Sequence, residues 1–420
     1  MGADRQDIIV IGGGPAGLFC AIHAASPGTR VLVLEKNPQP GNKLLLAGSG
    51  QCNLTHDGDI RSFPDRYGDH GRFVRPSLMG FTNRALVSFF EERGLVLVTE
   101  ENGKVFPASR KSADVLAVLL GECRKKGVAI RCAEPVEEVV REEGLFAART
   151  PAGSYAAPFL VITTGGASYP SCGTTGDGYR LAGMLGQPVT EIGPALSPLL
   201  ISPFPFAGLA GMTFPSLHFS VWRNGKKLGD YCGDLLFTHS GLSGPGILDA
   251  SRWIRAGDVL RLSFAGELRR EEFAAEIARL AAEHPGWQAG TLLARFRIPE
   301  RLVRRLLAIS RIPDQLTCAH LPAPLRSALV TACTECPVSV ERVGDFSIAM
   351  ATRGGVALDG VNPKTMESKR VPGLFFAGEV LDVDGDTGGY NLQAAFSTGY
   401  CAAQALRARM QGAGDAGRSA

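Results

Sequence analysis

Near its start the chain reads Asp7-Ile-Ile-Val-Ile-Gly12-Gly13-Gly14-Pro15-Ala16-Gly17, a β-branched apolar run feeding GxGxxG. A second apolar run, Arg30-Val-Leu-Val-Leu-Glu35, ends on a carboxylate eighteen positions after Gly17. Strand, glycine turn, helix, strand and acid within one ~30-residue unit predict a dinucleotide site. Gly12 permits the sharp turn off the strand, Gly14 lets backbone N–H groups approach a pyrophosphate, and Gly17 lets the helix pack closely on the sheet. Pro15 suits the turn into that helix, whose positive end would face the phosphates. Glu35 can accept both hydroxyls of an adenosine ribose and would repel a 2′-phosphate, which disfavours NADP here. The plain alternative is a glycine-rich turn with no ligand.

Composition narrows the rest. A chain of 420 residues that is 45% hydrophobic can bury two or three cores. Its net charge of +3 gives no global field pointing to nucleic acid or an anionic membrane. The most apolar stretch, Ile8 to Ala25, is about as long as a bilayer span, but its glycines and Pro15 suit strand, turn and helix, so no membrane span is predicted. The first residues carry acids and meet a strand at once, unlike a signal peptide. Ten cysteines lie scattered, mostly in apolar runs, which predicts reduced thiols and a cytoplasmic protein. Cys333 and Cys336 form one CxxC with no second to complete a zinc site, so no metal is predicted. Cys52 lies in a loop after the ribose-binding acid with no CxxxxC, which argues against a flavin disulfide reductase.

Further along, the Gly41 to Thr55 loop carries Lys43, whose ammonium could meet phosphate or flavin oxygens. Three β runs, Pro135 to Arg141, Leu145 to Thr150 and Tyr155 to Thr163, follow a strand predicted over Val128 to Cys132. The last run enters Gly165-Gly166, where small residues would let a cofactor approach the strand end. No second GxGxxG follows, so a separate NAD(P)H domain is not expected. From about Gly193 short Pro-rich β segments predict an inserted antiparallel or barrel-like unit, followed by helices over Arg270 to Glu283, Pro299 to Ile309 and Pro322 to Cys333. Strand text returns at Pro337 to Val343 and Phe346 to Ala351. In the closing block an apolar strand stops at Gly378, Glu379 can accept a ribityl hydroxyl, and a helix beginning near Asn391 offers free N–H groups to the flavin N1 and C2 carbonyl.

Taken in order, IGGGPAG, GNKLLLAGSGQCNLTH, TTGGASYPSCGTTGDGY, LLFTHSGLSGPGILDAS, TRGGV, NPKTMESK and PGLFFAGEVLDVDGDTGGYNLQAAFSTG resemble the bacterial NAD(P)/FAD-dependent oxidoreductases, also described as the aminoacetone oxidase family. The resemblance implies an α/β fold: a Rossmann-like, glutathione-reductase-type FAD-binding domain, discontinuous over 1–192 and 345–408. An inserted cap would span 193–344, β-barrel-like over 193–266 and helical over 267–335, with a disordered tail at 409–420. The family's FAD contacts carry over to Gly12, Gly14, Ala16 and Gly17, to Glu35 and Lys36, and to Lys43 and Leu44. They carry over also to Cys52, Asn53, Val136, Gly378, Glu379, Asn391 and Leu392, and Pro15 and Gly165 join them from the motifs above. Two departures stand out: Asn42 and Gln51 occupy positions where family members commonly carry a basic residue and an arginine.

The function expected is an FAD-dependent oxidoreductase that moves hydride between a small organic substrate and flavin N5. Its second half-reaction would use oxygen or a transiently bound NAD(P)H. On the substrate side His239, beside the hydroxyls of Thr238 and Ser240 in a turn, is a candidate for proton transfer. The competing reading is an FAD-containing RNA-binding or tRNA-modifying protein, suggested by Arg295, Arg297, Arg301, Arg304, Arg305 and Arg311. Balanced charge and few interleaved aromatics disfavour nucleic acid as a partner.

Overall fold

The computed structural model describes residues 4–416. The chain divides into two compact units, Met1–Ala195 with Phe346–Ala420, and Leu196–Asp345. The first is built on a five-stranded parallel sheet in the order Leu374–Phe376, Phe159–Ile162, Ile8–Ile11, Val31–Leu34, Ala129–Arg131. Ile8–Ile11 and Val31–Leu34 are buried throughout, as expected of strands covered on both faces. The strand predicted over Val128 to Cys132 shrinks to Ala129–Arg131, and its outer residues are exposed because it forms the sheet edge.

The helix Pro15–Ala24 follows the first strand, and the long C-terminal helix Tyr390–Ala416 packs beside it. A Cβ on Gly399 would stand 2.5 Å from the Ala16 carbonyl oxygen, so glycine sets the closeness of that approach. Phe19 joins the two helices to their surroundings through edge contacts with Phe81, Phe89 and Phe396. A separate antiparallel meander comprises Glu138–Glu142, Leu145–Thr150 and Gly153–Ala157. The β run expected over Tyr155 to Thr163 is therefore two strands in different sheets. Pro158 separates them, having no N–H to give a ladder.

The second unit holds a seven-stranded sheet in which every pairing is antiparallel. Its order is Cys336–Ser339, Val259–Ser263, Thr213–Arg223, Lys226–Phe237, Gly241–Ser243, Leu199–Leu200, Arg342–Val343. The two outermost strands are consecutive in the chain, separated by Val340 and Glu341 alone. Val340 N–H donates to Asp258 and Glu341 N–H to Leu200, residues beside opposite ends of the strand order. The sheet must curl upon itself for both bonds to form, which gives the barrel-like shape. Phe206, Phe214, Phe237 and Phe264 pack inside. The helices Arg270–Glu283, Glu300–Ile309 and Ala323–Thr334 bury one apolar stripe each, Leu302, Val303, Leu306 and Leu307 in the second.

Two expectations need correction. Phe346 to Ala351 is mostly turn, and the strand there is Ala351–Arg353, paired with Gly193–Ala195. The C-terminal helix runs on to Ala416, so residues 409–416 are not a disordered tail: Arg409, Met410 and Gln411 are good helix formers and continue the preceding turns. Residues 417–420 of that expected tail lie outside the described residues.

Candidate functional site

The glycine turn has the shape its sequence demands. Gly12 has φ +106°, and a Cβ there would stand 2.6 Å from the Thr163 carbonyl oxygen. A Cβ on Gly17 would lie 2.0 Å from the Gly12 carbonyl oxygen, so both positions are closed to other side chains. Gly14 is the opposite case: a Cβ there would meet nothing within 4 Å. Gly14 is also the residue before the helix Pro15–Ala24, whose N-terminus has no side-chain cap. Unspent N–H groups and the positive end of the helix thus open onto free space, the requirement for a diphosphate. These residues fit FAD's pyrophosphate.

Glu35 stands at the end of the neighbouring strand and is buried. One carboxylate oxygen accepts from Gly13 N–H at 2.8 Å, and the other accepts from Asn37 N–H at 2.9 Å and Asn37 Nδ2 at 2.8 Å. The acid is held against the glycine turn before any ligand arrives. Lys36 is committed elsewhere, its ammonium donating to Thr175 Oγ1 at 2.7 Å and pairing with Asp177. Asn37 Nδ2 also reaches the Cys172 carbonyl at 3.1 Å, so the ribose-side loop is tied to the 172–177 turn. Val136 is buried, with its carbonyl accepting from Arg180 Nη2 at 3.3 Å.

Lys43 and Glu379, 336 positions apart, meet. Lys43 Nζ donates to both carboxylate oxygens of Glu379, at 2.9 and 2.6 Å, and to Ser168 Oγ. Glu379 Oε1 further accepts from Thr352 N–H at 2.9 Å and Ser168 Oγ at 3.1 Å. The neighbouring Gly378, at φ +76°, leaves only 2.8 Å between a built Cβ and Ala16 Cβ, which brings this segment against the first helix. Gly165, at φ +74°, and Gly166 follow the strand Phe159–Ile162, and a Cβ on Gly166 would collide with the Thr352 hydroxyl at 2.4 Å.

The last cluster surrounds the start of the C-terminal helix. Asn391 fastens Gly385 in both directions, accepting from its N–H and donating to its carbonyl, each at 2.8 Å. Asn53, with its amide turned to satisfy both ends, donates to the Thr55 carbonyl at 2.9 Å and accepts from Gly389 N–H at 3.1 Å. Leu44 and Cys52 are buried beneath, and Leu392 is half-buried. Burial pushes the Cys52 thiol up to about 12, so it is an uncharged packing group.

Sequence reasoning missed several neighbours. Ser168 and Thr352 complete the Lys43–Glu379 network, Asn37 orients Glu35, and Thr163 Oγ1 donates to the Ile11 and Gly12 carbonyls at 3.0 and 2.9 Å. Thr164 Oγ1 and the Tyr179 hydroxyl are buried with no hydrogen-bond partner among the described residues. Burial, then the charges of Glu379 and Asp382, drive the Tyr179 hydroxyl well above the usual phenol range. The only available signal was position: Thr163 and Thr164 directly precede Gly165-Gly166.

In the second unit His239 is exposed on the hairpin between Lys226–Phe237 and Gly241–Ser243, whose turn is closed by Thr238 Oγ1 donating to the Gly241 carbonyl at 3.1 Å. The arginines weighed for RNA are partly spent. Arg301 and Arg305 donate to the carbonyls of Gly208 and Pro205, Arg304 pairs with Glu300, and Arg295 lies over the Trp287 ring. No helix among the described residues is long and apolar enough to cross a membrane, and no metal-ligand cluster occurs among them.

A family model described as the HI0933-like protein Rossmann domain matches residues 6–405. The ribosomal RNA dihydrouridine synthase of Escherichia coli (strain K12) is 32% identical over 407 residues, covering 96% of this chain and 98% of that protein. The 3-dehydro-bile acid delta(4,6)-reductase of Clostridium scindens is 31% identical over 409 residues, covering 95% and 98%. Among solved structures, the FrdA subunit of E. coli quinol fumarate reductase superposes with a TM-score of 0.54 at 16% identity, over 98% of this chain and 72% of that one. That last likeness speaks to fold alone. A glycine turn open to a diphosphate and a match that runs almost from end to end lead to one placement: the chain belongs to the HI0933-like family of FAD-binding oxidoreductases.

Proposed function

We propose that the protein transfers hydride to a carbon–carbon double bond conjugated with a carbonyl group in a small organic substrate. Bound FAD supplies the hydride chemistry at its N5. The observation that carries the cofactor's part is the open space before Gly14, faced by an uncapped helix N-terminus and flanked by the pre-oriented Glu35. Glu35 would take the adenosine ribose, and the residues from Gly378 to Leu392 would hold the flavin end, with the C-terminal helix directing its dipole there. The chain's own contribution is a fixed electrostatic frame. Lys43 and the Thr352 amide hold Glu379 in place, and Asn53 and Asn391 hold the loops entering the helix.

The choice of substrate class rests on the relatives. A dihydrouridine synthase and a delta(4,6)-reductase of a 3-dehydro bile acid both, as named, saturate a double bond conjugated with a carbonyl, and each matches about a third of this chain's residues. His239 is the imidazole proposed to exchange a proton with the substrate. His239→Asn is expected to lower kcat by about 10²-fold with flavin content unchanged. A nicotinamide bound only transiently would supply the hydride that the substrate's double bond then takes up, which completes the proposed cycle.

The test is anaerobic. The yellow protein is reduced with NADH or NADPH and then mixed with a steroid 4-en-3-one, uridine, a uracil-containing RNA, or oxygen. Return of the oxidised-flavin spectrum faster with the enone than with oxygen is the expected result. Reoxidation by oxygen alone would remove the reductase reading. A second reading keeps the same bond chemistry but places it on uracil within RNA; the dihydrouridine synthase relatives favour it, and selective reoxidation by RNA would establish it.

A further inference from the structure

Of ten cysteines, Cys232 is the one exposed. The others are buried or half-buried, and burial pushes Cys20, Cys123 and Cys336, for example, up to about 12, out of reach as nucleophiles. Cys232 is not alone. It lies on the strand Lys226–Phe237 directly opposite His218 of Thr213–Arg223, and its Sγ stands 3.8 Å from His218 Nε2. The exposed carboxylate of Glu267 lies 3.9 Å from the same nitrogen.

A groove of about 180 Å³ opens beside this pair, with His218, Ser216, Phe264, Phe296, Arg297 and Leu302 among its walls. A bulge between Phe214 and Leu217, with Ser216 at φ +48°, shapes one side. Arg297, at φ +57°, is also among the groove's walls. The Ser216 carbonyl accepts from Cys232 Sγ at 3.3 Å, so thiol and groove share a residue.

We propose that Cys232 is a thiol–disulfide exchange site for low-molecular-weight disulfides that carry carboxylates, the groove seating the incoming molecule and Arg297 attracting its charge. His218 Nε2 takes the thiol proton. The thiolate attacks one sulfur of the disulfide, the S–S bond breaks, a Cys232 Sγ–S bond forms, and the departing thiolate recovers the proton from His218. One disulfide is consumed and one made, so no further oxidant is needed. Besides Glu267, the charged groups nearby are Arg297 in the groove wall and Asp234, which accepts from Ser216 N–H at 3.0 Å. Arg261, on the adjoining strand, is occupied over the Trp222 ring.

The experiment uses the full-length, flavin-loaded protein with glutathione disulfide, which is anionic, and cystamine, which is cationic, read by intact mass and peptide mapping. A single early adduct at Cys232 is expected, formed several-fold faster with glutathione disulfide. The wild-type pH–rate profile should differ from that of a simple thiol. Cys232→Ser should abolish the early adduct, His218→Gln should slow it about tenfold and move the pH profile toward that of a simple thiol, and Arg297→Ala should erase the preference between the two reagents. First modification at another cysteine overturns the proposal. So does a wild-type profile equal to that of a simple thiol, a readout that does not depend on any variant folding.

Discussion

At the scale of single residues, the glycines divide by what surrounds them. Gly14→Ala should be tolerated, because nothing stands within 4 Å of its Cβ, whereas Gly14→Glu would send a carboxylate into the space meant for phosphates. Purified Gly14→Glu is expected to melt like flavin-stripped wild type and to lack the flavin absorption band. Glu35→Ala should leave the chain folded but weaken FAD retention by about 10- to 100-fold, since charge-assisted hydrogen bonds contribute about 1.5–3 kcal/mol; equilibrium dialysis measures it. His23 supplies a pH dependence. Burial first, then Arg93, Lys126 and Arg407, lower its imidazole from 6.5 to about 4. Below 6.5 the unfolded chain takes up a proton that the native state refuses, so stability is full above that pH and is lost as the pH falls toward 4, by on the order of 3 kcal/mol. His23→Phe, fitting among Phe19 and Tyr400, should flatten the melting temperature across that interval. Gly12, Gly17 and Glu35 were legible in the sequence because a local backbone geometry demands those residue types at that spacing. The partnerships of Lys43 with Glu379, Asn53 with Gly389 and Asn391 with Gly385 were not: spacing along a chain says nothing about which distant polar groups meet once sheets assemble.

Among elements, the contact between Pro15–Ala24 and Tyr390–Ala416 bears the most on function, because both helices begin at the proposed cofactor. Gly399→Val should force them apart, costing roughly 1–3 kcal/mol by overpacking, and should release flavin at a lower temperature than wild type. Thermal scans following flavin fluorescence measure both effects. The buried parallel strands and the amphipathic helices were readable because their apolar periods are unambiguous. Where a run is continuous but its partners change, as at Pro158, hydrophobicity looks the same on either side and only pairing distinguishes the strands. The edge strand Ala129–Arg131 was overestimated for a related reason: apolar text cannot reveal that a strand lacks a neighbour. Short elements such as Pro245–Ala250 and Ala289–Ala294 carry too few turns to show a period at all.

For the whole molecule, each unit closes upon itself at the point where the chain crosses to the other and back. In the first unit Ala195 is paired with Ala351, and in the second Leu199 is paired with Val343, so each unit brings its own severed ends together. Antiparallel partners stand about 5 Å apart, a gap that a tight hairpin spans. The second unit is consequently a detachable cassette. Joining Ala195 to Ala351 through a two-residue turn should leave a shortened protein that still turns yellow with FAD while losing all turnover of substrate. If that shortened protein binds FAD and loses turnover, choice of substrate resides in the excised segment and grip on the coenzyme outside it.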